Sequence, residues 1–130
     1  MATIVRITRH PADPSRIEAL RKAFGNDLKI VDDDVPYSDD PVKAVAGLLE
    51  KYGDVVAIEV VAPVPVLAKL TAAKREFGNL LILRAEFARG TDGRVVVTSQ
   101  DAHGRDVFGF GHYEVIEQVL VKTRPLISPV

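Results

Sequence analysis

The chain is read as an α/β protein: a Rossmann-like three-layer sandwich with a mostly parallel sheet, strand order about 2-1-3-4, and a C-terminal antiparallel hairpin. Three observations predict this. Short β-branched runs alternate with amphipathic stretches of helical length. Two of those stretches open on the same Asp-Pro pair, Asp13-Pro14 and Asp40-Pro41. The run Asp54 to Ala62 is almost without a polar break, as in a strand covered on both faces.

Strand one is Thr3 to Thr8, rich in β-branched residues. Asp13 can accept amide hydrogen bonds as an N-cap and Pro14 suits the first helical position. Ile17, Leu20 and Phe24 then make one apolar stripe, and Gly25 stops it. Leu28 to Val31 reads as strand two, followed by an acidic loop from Asp32 to Asp40. Helix two carries Val42, Val45, Leu48, Leu49 and Tyr52 on one face and closes at Gly53. After strand three, Pro63-Val64-Pro65 opens a third helix running to Gly78, and Leu80 to Phe87 is strand four. Gly90-Thr91-Asp92-Gly93 is a turn signal. Arg94 to Thr98 is expected as strand five, pairing as a hairpin with a long last strand from Tyr113 to Thr123. The segment from Phe108 to Glu114 reads either as a bulged strand entry or as a flap over a ligand. The tail from Pro125 to Val130 is apolar enough to pack on its own domain or on a second copy.

The 130 residues suit one domain, 1–130, with one core. A hydrophobic share of 47% and a charged share of 27% are those of a globular chain. The net charge of −1 gives no bulk attraction to duplex nucleic acid or anionic membrane, so neither is expected as a partner. The absence of cysteine excludes disulfides, thiol catalysis and cysteine-held zinc. The opening residues lack the pattern of a secretory signal, and no apolar run approaches the ~20 residues of a membrane span. A cytoplasmic protein is expected.

Ligands of open parallel sheets bind beyond the carboxyl ends of the strands, where the winding reverses. For this order that point lies between strands one and three. Strand one delivers Thr8, Arg9 and His10 there, strand three delivers Glu59, and strand four delivers Arg84 and Glu86. Regular alternation puts Thr8 and His10 on one face and Arg9 on the other. Arg9 or Arg84 could clamp a phosphate bidentately, Thr8 could bond it, and His10 could hold charge or exchange a proton. His112 and Tyr113 are candidates for covering the ligand. The bland readings are rim ion pairs for Arg84 and Glu86, a loop-closing role for His10, and an ordinary strand threonine at position 8.

Absences narrow the chemistry. The loop His10-Pro11-Ala12-Asp13 contains no glycine, and neither the dinucleotide fingerprint nor the P-loop occurs anywhere. No cofactor is called for. The spacing of His10, His103 and His112 carries no metal signature, and the acidic loop lacks the pattern of a calcium loop. No serine sits on a nucleophile elbow.

The stretch Ile7-Thr8-Arg9-His10-Pro11 resembles the opening of small CRISPR-associated proteins with Rossmann-like folds, stand-alone relatives of CARF domains. The resemblance rests on those five residues, the β/α order and the small, cysteine-free chain. It implies a homodimer that binds a cyclic oligoadenylate, with two copies of Thr8, Arg9 and His10 meeting across the two-fold. Metal-independent cleavage of the ring, as in ring nucleases, is left open. In that reading Arg9 and His10 are the catalytic candidates. Two alternatives stand beside it: a non-enzymatic accessory domain of a phage or genome-defence system, and a small flavodoxin-like enzyme using His10 and Glu59 as acid and base.

Overall fold

The computed structural model describes residues 2–120 and 124–127. Five strands form one sheet in the order β2-β1-β3-β4-β7: β1 (Thr3–Ile7), β2 (Lys29–Asp33), β3 (Val55–Glu59), β4 (Leu81–Phe87) and β7 (Phe110–Val115). The first four run parallel, and β7 adds antiparallel to β4. Helix α1 (Pro14–Phe24) lies on one face, and α2 (Pro41–Tyr52) and α3 (Val64–Ala72) on the other. A separate two-stranded hairpin, β5 (Val97–Gln100) with β6 (Asp106–Phe108), stands between β4 and β7 in the chain.

The helix starts follow from their caps. Asp13 Oδ1 accepts from Arg16 N at 2.9 Å, and Asp40 Oδ1 accepts from Lys43 N at 3.1 Å. Gly25, at φ 111°, ends α1 with its N–H on Arg21 O. Helix α3 starts on Pro63 without a side-chain cap and gives way at Lys74–Phe77 to a 3-10 turn, so it is shorter than the run to Gly78 predicts.

Alternation along β1 divides the core. Val5 and Ile7 pack with Val45, Leu48, Leu67 and Leu70 beneath α2 and α3. Ile4 packs with Leu20 of α1, Leu28, Ala57 and Leu83 on the other side. All five residues of β1 are buried, as a strand flanked by strands and covered on both faces must be.

The C-terminal part differs from expectation. The last strand is Phe110–Val115, and it pairs with β4 rather than with strand five, whose partner is the short β6. A bulge explains why. His112 pairs with Glu86 and Phe110 with Phe87, so Gly111 is the extra residue that breaks the two-residue alternation. A Cβ on Gly111 would lie 2.9 Å from Ala88 N and from Phe87 C, so only glycine fits. Beyond Val115, Ile116 and Val119 pack partly buried against the core, which ends the strand well before Thr123. Residues 121–123 and 128–130 lie outside the described residues; 124–127 are exposed. Among the described residues, no helix is long and apolar enough to cross a membrane.

Candidate functional site

Two charged side chains sit where the sheet is most apolar. Arg6, inside β1, is 2% exposed, and Glu59, the last residue of β3, is 3% exposed. They are register partners on neighbouring strands, on the face beneath α1. Arg6 Nε donates to Glu59 Oε1 at 3.0 Å. Arg16, one turn into α1, donates from Nη1 to Glu59 Oε2 at 2.9 Å. The Tyr113 hydroxyl, arriving from β7, donates to Glu59 Oε1. Arg6 Nη1 donates to Asp32 Oδ1 at 2.8 Å, which ties in β2. Every strand of the sheet except β4 therefore contributes a side chain to one network. Arg16 also covers the Phe110 ring at 5.5 Å, and Phe110 leans on Tyr113 at 4.9 Å between centroids.

The electrostatics of the network are self-consistent. Burial opposes the charge on Arg6, but Glu59 and Asp32 outweigh it and its pKa is raised. Burial and the bond to Glu59 push the Tyr113 hydroxyl well above the usual phenol range. Among the described residues, no buried side-chain nitrogen or oxygen lacks a partner. A saturated cluster of this kind is a scaffold: its donors and acceptors are spent.

What it scaffolds is the loop after β1. Arg6 Nη1 also donates to the His10 carbonyl at 3.3 Å. Thr8 N donates to Asp33 O at 3.1 Å, and His10 N donates to Thr8 Oγ1 at 3.1 Å. The Thr8–His10 backbone is fixed, while the Arg9 and His10 side chains are exposed. Among the described residues Arg9 joins no ion pair. Beside this loop lies a shallow depression of about 520 Å³, lined by Thr8, Arg9, Asp33, Asp34, Lys51 and Tyr52, with Asp32 at its wall. Asp33 Oδ2 accepts from Tyr52 OH at 2.6 Å and from Lys51 Nζ at 3.1 Å. The Tyr52 bond, against a burial effect of opposite sign and with help from Lys51, holds the Asp33 carboxyl below its ordinary value.

The candidate residues thus fall in three places. Thr8 and Arg9 line the depression, and His10, the next residue, is exposed and not part of its lining. Glu59 and Tyr113 are bonded to each other in the network under α1. Arg84, Glu86 and His112 lie on the opposite face of β4 and β7, where Arg84 Nε pairs with Glu86 at 2.8 Å and His112 Nε2 lies 3.2 Å from Glu114. Arg84 Nη2 also reaches Glu114, at 3.4 Å. The sheet lies between this last group and Glu59. Sequence reasoning passed over Arg6, Arg16, Asp33, Lys51 and Tyr52. The available signal was Arg6, a lone cation between Val5 and Ile7, facing Glu59, a lone anion after Ile58.

No protein-family model, curated protein or solved structure matches the chain.

Proposed function

We propose that this chain is a Rossmann-like, CARF-like protein that binds a phosphate-bearing nucleotide at the carboxyl end of β1, a cyclic oligoadenylate being the ligand its opening residues imply. The observation that supports this is the braced loop. A buried guanidinium holds the His10 carbonyl while Arg9 stays exposed and, among the described residues, joins no ion pair. A cation presented on a pre-set backbone can grip a phosphate without the cost of ordering the loop, leaving only its own side chain to immobilise. Thr8 Oγ1 accepts from the His10 backbone N–H and keeps its own O–H to give. Asp32 and Asp33 line the same depression, but Arg6 and Lys51 already balance them; Asp34 is the carboxylate left over. Arg84 is engaged by Glu86 and Glu114 and takes no part. An acid–base pair of His10 with Glu59 has no support in this arrangement, because Glu59 is sealed and fully bonded while the His10 ring is exposed.

Calorimetry with cyclic tetra- and hexa-adenylate, linear oligoadenylate and ATP tests the reading. Binding is expected to weaken by about tenfold or more in Arg9→Ala, the loss of one charge-assisted contact, and to tighten in Asp34→Asn. Product analysis of the bound ring decides whether cleavage follows. Absence of binding to all four nucleotides at high micromolar concentration, or unchanged binding in Arg9→Ala, overturns it.

A further inference from the structure

The sheet has two edges of different character. The β2 edge reads Lys-Ile-Val-Asp-Asp, with charge at both ends, a common defence against strand addition. The β7 edge, Phe-Gly-His-Tyr-Glu-Val, has neither lysine nor proline, and among the described residues no strand pairs with its outer side. Ile116 N donates to Ile82 O, and Glu114 and His112 pair with Arg84 and Glu86 of β4. In an antiparallel ladder the polar backbone groups alternate sides, so those of Tyr113 and Val115 point outwards. Val115 and, at the end of β4, Phe87 are 44% and 45% exposed beside this edge.

We propose that a second copy of the chain pairs antiparallel with β7 about a two-fold axis through Tyr113, joining the two sheets into one, because that register sets His112 of each copy opposite Glu114 of the other. The register follows from symmetry. A two-fold perpendicular to the sheet keeps each face on its own side, so paired residues share a face and the axis passes through a residue. Centring on Glu114 opposes two carboxylates. Centring on His112 opposes two imidazoles and drives Glu114 against Phe110 at the bulge. Centring on Tyr113 sets an imidazole against a carboxylate on each side of the axis, a pair that can hydrogen-bond, and matches the outward backbone groups, so side-chain and backbone pairing agree. An isologous contact of this kind closes on itself and leaves no further edge of the same type.

This inference goes beyond the ligand reading and does not rest on it. It also departs from the dimer that the resemblance implies. The two β1 strands would lie seven strand spacings apart, about 34 Å, with their carboxyl ends pointing in opposite directions. Each Thr8–His10 loop would then take its own ligand instead of sharing one across the axis.

The absence of cysteine gives a direct test. In the proposed register residues 112 and 114 of the two copies form a non-hydrogen-bonded pair, with Cα atoms about 4.5 Å apart, close enough for a disulfide. Within one chain the same two residues lie two apart along an extended strand, where a bridge would be strained, and non-reducing mass analysis separates it from the covalent dimer. The double variant His112→Cys/Glu114→Cys is expected to form a covalent dimer on mild oxidation, and each single variant to do so far less. Sedimentation equilibrium of the full wild-type chain is expected to show a monomer–dimer equilibrium, weakened about tenfold in His112→Glu, where like charges oppose, and recovered in His112→Glu/Glu114→Lys. Circular dichroism of each variant checks folding. A wild-type chain that stays monomeric at high micromolar concentration overturns the proposal. So does a dimer that His112→Glu leaves unchanged, or one that the single cysteines cross-link as readily as the pair.

Discussion

Glu59 accepts from Arg6, Arg16 and Tyr113, and two of those donors are cations. Removing it leaves Arg6, 2% exposed, with Asp32 as its remaining carboxylate and leaves its Nε and the Tyr113 hydroxyl without their acceptor. Glu59→Ala is therefore expected to destabilise the fold by about 1–3 kcal/mol, readable in urea unfolding, because buried donors lose their acceptor. Arg16→Ala should cost less, since Arg6 and Tyr113 keep Glu59 satisfied. Asp33 sets a pH dependence. Its folded-state pKa lies below the ordinary carboxylate value, so the folded chain favours its ionised form. That stabilisation is complete above the unfolded value, about 4, and drains away as pH falls through the lower folded value. In Asp33→Asn the urea midpoint should fall less steeply between about pH 4 and pH 2 than in the wild type. The wild-type slope persisting in Asp33→Asn would assign it to other carboxylates, Asp13 first, since its carboxyl is also held low. At this scale the sequence was only half legible. Glu59 and Tyr113 stand out by residue type, but that they meet depends on β7 docking beside β4, which no local pattern announces.

Among the elements, those fixed by local chemistry were the readable ones. Asp-Pro starts, glycine stops and one apolar stripe each define α1 and α2, and the structure caps both as those residues require. Strands β1 to β4 follow from β-branched runs between them. The C-terminal strands differ from the expected ones because pairing there is decided by a bulge, and a bulge erases the alternation that identifies a strand. Gly111 is the residue on which it turns. Gly111→Ala pushes a methyl group onto the backbone of Phe87 and Ala88. A loss of about 1–3 kcal/mol is expected, of the size seen for overpacking. Hydrogen exchange should show the loss concentrated in β4 and β7, with β1 and β2 protected as before. A uniform change across the sheet would mean that the bulge does not act locally.

For the molecule as a whole, the winding of the sheet gathers the carboxyl ends of β1, β2 and β3 at one rim, and the charged residues found there serve two ends. Those under α1 are consumed in holding strands together; those on the loop after β1 are left exposed to solvent. That charged residues gather at this rim could be read from topology, whereas the partition between the two groups could not, because it depends on which face of each strand a helix covers. One feature of the architecture bears on how the chain is born. The outer border of β4 is completed by β7, yet the whole β5–β6 hairpin emerges from the ribosome between them. A nascent chain that has just released Phe87 already carries four parallel strands but nothing to close the outer side of the fourth, and Glu59 still lacks its phenol. Closing that loop is a non-local step whose entropy must be met before any contact rewards it. The interval between Phe87 and Val115 is thus when this polypeptide is most open to mispairing with other chains.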